Sequence, residues 1–306
     1  MARATCQKCR CERAVSIPLE DETMEEANKK FSKLISILKG LDGAVVAYSG
    51  GVDSTLLIKA CADVIGRKTI AVIADSPTMS RSELREAIGT ARVLGINPTI
   101  IKTDEISDKD FNKNDKDRCY YCKKSLFGEM KNIARERNIA NILYGGNLDD
   151  DNDYRPGMEA AKERGARAPL REAGLTKAEI RLLSKKMNLN TWDKPAQACL
   201  SSRIPYGVNI TTERLQKVEK AENIIRELGF KQSRARLHDD HTIRIEIEKK
   251  DFHKILNEDI RQKIVNEVKN LGFTYITLDI EGFRSGSMNE ILPENTVANT
   301  GAKDNG

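Results

Sequence analysis

Short apolar runs alternate with amphipathic helical patterns through nearly the first half of the chain, and this alternation is the feature that most restricts its fold. The apolar runs, typical of buried strands, are GAVVAYS (43–49), TIAVIAD (69–75), PTIIKT (98–103) and NILYGG (141–146). The helical patterns cover 24–38, 53–66, 80–94 and 119–138. Strands that alternate with helices predict the α/β class, a parallel sheet with helices on both faces.

The pattern changes near residue 200. A helical pattern at 211–228, strand patterns at 233–237 and 242–247, a helix at 258–271 and a strand at 274–280 predict a smaller α+β domain. We therefore predict a flexible segment at 1–20, a first domain over 21–199, a second domain over 200–291 and a disordered tail over 292–306. The long polar connection 104–118 is more typical of function or mobility than of core.

Charge and hydropathy restrict the kind of partner. Lys plus Arg minus Asp plus Glu is 51 − 46 = +5, which is mild for 306 residues and does not favour nucleic-acid binding. It suits a small anionic substrate such as a nucleotide. No apolar run approaches the roughly 20 residues of a membrane span. The basic start lacks the apolar stretch of a secretory signal, so we expect a cytoplasmic protein.

The segment Ser49-Gly50-Gly51-Val52-Asp53-Ser54 lies between a predicted strand and a predicted helix. Adjacent glycines let the backbone approach a ligand closely, and a helix N-terminus offers free N–H groups to an anion. Asp53 is placed to hold a divalent ion against bound phosphates. The Walker ending Gly-Lys-Ser/Thr and the dinucleotide pattern GxGxxG are both absent here. An ordinary glycine turn with Asp53 as helix cap is the alternative.

These residues resemble the SGGxDS signature of the PP-loop ATP pyrophosphatases, which Gly50, Gly51, Asp53 and Ser54 match residue for residue. The resemblance implies that ATP is cleaved between its α and β phosphates, that an acceptor oxygen is adenylated, and that a nucleophile then displaces AMP. It implies catalytic roles for Asp53 and Ser54, with Mg²⁺ on Asp53. The further ATP contacts that it implies are Ala47, Ser49, Ala74, Asp75, Ser76, Gly146 and Asn147.

The positions of the cysteines indicate which metal or sulfur chemistry the protein could carry out. Cys119-x-x-Cys122 places two sulfurs on one turn, and Cys199 follows in a polar stretch, ACLSSR. Three thiolates would bind a 4Fe–4S cluster and leave one iron without a protein ligand. A zinc half-site or buried thiols are the alternatives. Cys61 lies on an apolar helix face and is expected in the core. The remaining cysteines, Cys6, Cys9 and Cys11, form an incomplete zinc motif and receive no role.

Four further segments, RCYYCKKSLF, DYRPG, ACLSSRIPYG and LDIEGFRSGSMNE, resemble the LarE family of ATP-dependent sulfur transferases over about residues 25–292. The resemblance implies adenylation of a carboxylate of pyridinium-3,5-biscarboxylic acid mononucleotide, and then replacement of AMP by sulfur. The product serves the nickel-pincer cofactor of lactate racemase. One variant of the family sacrifices a cysteine sulfur, and the other uses a 4Fe–4S cluster. Cys119, Cys122 and Cys199 predict the cluster variant; without a cluster, Cys199 becomes the donor. The resemblance also implies a homo-oligomer.

The second domain offers a cradle for the phosphate of a mononucleotide. Arg234 and Arg236 share one face of a predicted strand, because side chains alternate along a strand. Two guanidinium forks on one face suit a phosphate. Arg203, four residues after Cys199, is a similar candidate, and the resemblance gives Glu222 a role in binding metal or substrate. Solvated surface charges are the alternative for each.

Three rival functions stay open at this point. The first is a tRNA-thiolating PP-loop enzyme, which 5% aromatic residues and the modest charge do not favour. The second is an ammonia-using amidating synthetase of the GMP or NAD synthetase type, in which Cys119 and Cys122 have no role. The third is a nucleotide-sensing module without turnover, which pyrophosphate release would exclude.

Overall fold

The computed structural model describes residues 19–152, 156–195, 198–284 and 286–290. Its helices are α1 (Leu19–Lys39), α2 (Val52–Ile65), α3 (Arg81–Val93), α4 (Lys109–Asn112), α5 (Arg118–Glu136), α6 (Pro156–Glu163), α7 (Pro169–Glu172), α8 (Lys177–Lys186), α9 (Thr212–Glu227), α10 (Phe252–Ile255) and α11 (Glu258–Lys269). Its strands are β1 (Ala44–Ala47), β2 (Thr69–Asp75), β3 (Thr99–Lys102), β4 (Asn141–Leu143), β5 (Ser233–Leu237), β6 (Thr242–Ile247) and β7 (Tyr275–Leu278). Cys6, Cys9, Cys11 and the tail 292–306 lie outside the described residues.

The first sheet is parallel throughout, with strand order β3-β2-β1-β4. Its central strand β1 is buried on both faces, and alternate side chains enter different helical layers. Val46 packs in a cluster with α1, α2, α3 and α8, whereas Val45 packs in a cluster with α5 and α6. The predicted α/β class with helices on both faces is therefore confirmed. Within the described ranges, no helix is long and apolar enough to cross a membrane.

The second sheet has the order β5-β6-β7, antiparallel between β5 and β6 and parallel between β6 and β7. Side chains such as Ala235 and Ile245 pack on one face in a core with α9 and α11. The alternation of a strand therefore puts Arg234, Arg236 and the facing Glu246 on the opposite side of the sheet. The smaller α+β unit that the sequence predicts is present.

Part of the polar connection before α5 packs in the core, although its composition is more typical of function or mobility. Phe111 is 2% exposed and packs in the hydrophobic cluster of the second sheet. Asn114 is fully buried, and its amide donates to three backbone carbonyls of the following domain, those of Ile204 at 3.2 Å, Pro205 at 2.7 Å and Val208 at 3.1 Å. The packing of Phe111 and the hydrogen-bonded amide of Asn114 thus bury part of this charged segment.

Candidate active site

The glycine-rich loop lies at the carboxyl edge of the first sheet, between β1 and α2. Gly50 has φ +73°, and a Cβ atom there would lie 2.7 Å from the Cβ of Ala87, so an L side chain is excluded. The Ser54 hydroxyl accepts from the Ser49 N–H at 3.3 Å and donates to the Gly51 carbonyl at 3.1 Å. No side chain caps α2 at Gly51. The loop is thus braced from within, and the end of the helix is open to an anion.

The segment after β4 packs against this loop. A Cβ atom on Gly145 would lie 2.9 Å from the backbone nitrogen of Ser54, so only glycine fits there. The Asn147 amide, 4% exposed, donates to one carboxylate oxygen of Asp53 at 3.5 Å. The structure therefore brings Gly146 and Asn147, which the resemblance assigned to ATP, to the edge that carries Asp53.

Two lysines that the sequence analysis missed contact the loop. The Lys177 ammonium pairs with the other carboxylate oxygen of Asp53. The Lys194 ammonium donates to the Gly50 carbonyl at 3.2 Å and pairs with Glu86 at 2.9 Å. No sequence signal distinguishes these two from the other 49 of the 51 lysines and arginines, because both contacts span more than 120 residues.

The ends of β1 and β2 carry the remaining residues assigned to ATP. Ala47 and Ala74 are half-buried in their strands, and Asp75 is paired with Arg81. Ser76 is 5% exposed, and its hydroxyl is bonded to Thr78 at 2.7 Å and to the buried carboxylate of Glu105. The Ser76 side chain is thus held by protein groups, and its role in ATP binding stays a prediction.

The structure brings the three candidate cysteines into one neighbourhood. Cys119 and Cys122 occupy the first turns of α5, and Cys199 immediately precedes a short 3₁₀ helix, Leu200–Arg203. Desolvation by the surrounding protein, and next the electrostatic interaction with Cys199, raise the pKa of Cys119. Burial, then the Glu105 carboxylate, raise the pKa of Cys122 to about 12. No group of three or more His, Cys, Asp or Glu side chains in the described ranges is placed to hold a metal ion.

These pKa shifts define the state of the free thiols. At neutral pH Cys122 is protonated and is a poor nucleophile, because the thiolate is the reactive form. A metal that binds these sulfurs must therefore displace their protons. Cys61 is fully buried on α2, and burial raises its pKa to about 12, in agreement with the expected core position.

The three arginines that the sequence analysis proposed for substrate binding differ in their ion pairs. Arg203 and Glu222 form a buried two-pronged ion pair at 2.8 and 3.2 Å, with side chains 3% and 4% exposed. Arg203 also donates to the backbone carbonyl of Cys199 at 2.9 Å. Arg236 pairs with the fully buried Glu246 at 2.6 Å. Arg234 makes no ion pair with any carboxylate of the described residues, so it is the cation most available to a phosphate.

Glu83, in the first turn of α3, is a further candidate that the sequence analysis did not identify. The Ser80 hydroxyl accepts from the Glu83 N–H at 3.2 Å, but the Glu83 carboxylate makes no hydrogen bond or ion pair within the described part of the chain. Burial raises its pKa, and Arg203, Lys194 and Arg234 lie within electrostatic reach. A carboxylate free of direct partners therefore lies between the nucleotide loop and the arginines of the second domain.

Glu222→Gln is expected to lower the free energy of unfolding by about 3–5 kcal/mol, because it leaves the Arg203 guanidinium buried without a counter-charge. Urea denaturation followed by circular dichroism measures the loss. Arg214→Ala is the matched control, because it breaks an exposed pair with Asp240 at 2.8 Å and is expected to cost about 0–1 kcal/mol. Equal losses in the two variants would contradict the structural role of the buried pair.

Comparison with known proteins agrees with this geometry. Residues 26–150, from α1 to the segment after β4, match the model of the NAD synthase family. The chain is 41% identical over 263 residues to an uncharacterised protein of Synechocystis sp., covering 86% of this chain and 98% of that protein. It is 38% identical over 273 residues to the pyridinium-3,5-bisthiocarboxylic acid mononucleotide synthase of Lactiplantibacillus plantarum, covering 89% of this chain and 98% of the synthase.

The similarity to the synthase spans 89% of the chain and therefore extends beyond the nucleotide-binding half into the second domain. The PP-loop match identifies an enzyme that uses ATP and Mg²⁺. The chain is therefore an ATP-dependent sulfur transferase and belongs to the LarE family.

Proposed function

We propose that this protein adenylates a carboxylate of pyridinium-3,5-biscarboxylic acid mononucleotide and replaces the AMP with sulfur to give the thiocarboxylate. The observation that carries the proposal is that the Cys199 segment is anchored beside the PP-loop. Lys194 bonds to the Gly50 carbonyl at 3.2 Å, and the Leu200 N–H donates to the Thr78 carbonyl at 2.8 Å. The name of the Lactiplantibacillus plantarum relative, a pyridinium-3,5-bisthiocarboxylic acid mononucleotide synthase, supports the same substrate class.

The reaction has two bond exchanges. A carboxylate oxygen of the substrate attacks the α-phosphorus of ATP, and the bond to pyrophosphate breaks. A sulfur nucleophile then attacks the acyl carbon, and the bond between that carbon and the oxygen of AMP breaks. The open N-terminus of α2 would hold the phosphates, and Asp53 would hold Mg²⁺, which would neutralise phosphate charge there. Arg234 binds the substrate phosphate, and the Arg203–Glu222 and Arg236–Glu246 pairs fix the surrounding cradle.

We propose that Cys119, Cys122 and Cys199 would hold a 4Fe–4S cluster, whose iron without a protein ligand would bind added sulfide and so provide the sulfur nucleophile. The three cysteines lie within electrostatic reach of one another, and three thiolate ligands leave one iron of such a cluster open. The described side chains are not placed to hold a metal ion as they stand, so cluster binding would have to draw the three sulfurs together. The protein fixes the third ligand through its backbone, because Arg203 donates to the carbonyl of Cys199 at 2.9 Å and to that of Ala198 at 2.6 Å. In protein without the cluster, Cys199 itself is the proposed donor.

The NAD synthase match favours an amidating synthetase as the second candidate function. That match ends at residue 150, before Cys199 and the arginines of the second domain. The similarity that extends over 89% of the chain is instead to the thiocarboxylate-forming synthase. Sulfur, rather than ammonia, is therefore the proposed nucleophile.

The test supplies ATP, Mg²⁺ and the dicarboxylate mononucleotide under anaerobic conditions. Pyrophosphate release is expected only when the mononucleotide is present, and sulfide is expected to convert the product to thiocarboxylate. Intact-protein mass spectrometry then separates the two sulfur routes. The cluster route leaves the polypeptide mass unchanged, and sacrifice of Cys199 lowers it by about 34 Da, the mass of hydrogen sulfide. Formation of an amide with ammonia, and no thiocarboxylate with sulfide, would overturn the proposal.

A further inference from the structure

The residues of the PP-loop do not themselves carry enough positive charge to balance a bound triphosphate. The segment Ser49–Ser54 contains one carboxylate, Asp53, and no lysine or arginine. A helix N-terminus contributes only about half a positive charge. A bound triphosphate adds several negative charges next to that carboxylate. Cations from elsewhere in the chain must therefore compensate the outer phosphates.

Lys177 supplies a cation at one end of the loop. It is the first residue of α8, which is fixed by a complete capping box between Thr176 and Glu179. Its backbone N–H donates to the Asp149 carboxylate at 2.7 Å, and its ammonium reaches Asp53. The backbone is thus held at two points, while the side chain, 34% exposed, is free to turn from Asp53 to a phosphate oxygen.

Lys194 supplies a cation at the other end. Its side chain is 9% exposed, although burying an ammonium is unfavourable unless it is compensated. Its one carboxylate partner among the described residues is Glu86, which is 50% exposed. The Arg181 guanidinium fixes the surrounding backbone by donating to the carbonyls of Trp192 at 2.6 Å and Lys194 at 2.7 Å. The Lys194 ammonium is nearly buried, its backbone is fixed, and it contacts the PP-loop. This arrangement suits the binding of an anionic ligand.

We propose that Lys177 and Lys194 bind the β and γ phosphates of ATP from opposite ends of the PP-loop and so stabilise the departing pyrophosphate. The inference rests on the proposed function. When the phosphates bind, the Lys177 ammonium donates to a phosphate oxygen and leaves the Asp53 carboxylate to Mg²⁺. Negative charge develops on the departing pyrophosphate in the transition state. The ammonium groups of Lys177 and Lys194 would stabilise this charge and so lower the activation barrier.

The experiment compares ATP and AMP binding by isothermal titration calorimetry, with Mg²⁺ and without the mononucleotide. Lys177→Met and Lys194→Met are each expected to weaken ATP binding by about 10- to 100-fold, as expected from loss of a charge-assisted hydrogen bond. AMP binding is expected to stay within about twofold and also shows that each variant is folded. Lys194→Arg keeps the charge and is expected to retain most of the ATP affinity.

The matched control is Lys59→Met, which removes the same charge from α2, where Lys59 pairs with Asp63 at 2.5 Å. It is expected to leave ATP affinity within about twofold. Unchanged ATP affinity in Lys177→Met and Lys194→Met, or equal losses for ATP and AMP, would overturn the assignment of the two lysines. Wild-type protein that binds no ATP would instead overturn the proposed function itself.

Discussion

Asp53→Ala is expected to lower kcat for pyrophosphate release by at least about 100-fold, the scale seen when one transition-state contact is removed. The Asp53 carboxylate accepts from Asn147 and pairs with Lys177 at the mouth of the PP-loop. The alanine variant therefore loses the proposed Mg²⁺ ligand and leaves the Lys177 ammonium without its partner. An enzyme-coupled pyrophosphate assay at saturating ATP measures the effect.

Asp63→Ala is the control for Asp53→Ala, because both residues are on α2. Asp63 is 49% exposed and pairs only with Lys59 among the described residues, away from the loop. Its removal is expected to leave pyrophosphate release within about twofold. If Asp53→Ala formed AMP at the wild-type rate, the carboxylate would have no part in the first chemical step.

Cys199→Ala is expected to stop thiocarboxylate formation completely, and Cys119→Ala and Cys122→Ala are expected to limit it to the single turnover that Cys199 itself can supply, while pyrophosphate release continues. Activation of the carboxylate depends on the PP-loop, whereas only sulfur delivery depends on the thiols. Anaerobically reconstituted wild-type protein is expected to contain about four irons per chain, and each variant is expected to lose them. Iron analysis and mass spectrometry of the small-molecule product give the two readouts.

Cys61→Ala separates this site from the other described free thiol. Cys61 is fully buried on α2, and its replacement is expected to keep both the iron and sulfur transfer. Retained iron in any of the three site variants would remove that cysteine from the proposed ligands. Sulfur transfer by Cys199→Ala at the wild-type rate would contradict both proposed sources of the sulfur.

Much of the fold follows from local patterns. The predicted strands at 69–75, 233–237 and 242–247 coincide residue for residue with β2, β5 and β6. Each carries a continuous apolar run or a clear alternation, because its environment is either two helical layers or one core and one polar face. The loop between β1 and α2 is equally local, since its glycines and the helix start are adjacent in sequence.

Side-chain partners could not be predicted in the same way. The sequence placed Arg203 and Glu222 as separate candidates, but it contains nothing to indicate that each is the other's counter-charge. Lys177 and Lys194 reach the PP-loop only because α8 and the segment after it fold back beside α2. Phe111 sits in a charged run, and its burial depends on a core built from residues more than 80 positions later.

The packing of Phe111 has a consequence for how the molecule is assembled during synthesis. Its neighbours Tyr121 and Cys122, on the turn that bears two of the candidate ligands, also contact the core of the second sheet. A nascent chain that ends before Leu200 lacks the apolar core on which this turn rests. The nucleotide half and the sulfur chemistry are therefore not interchangeable modules: gene fusions or truncations that separate them remove the support of the thiol turn together with the substrate cradle.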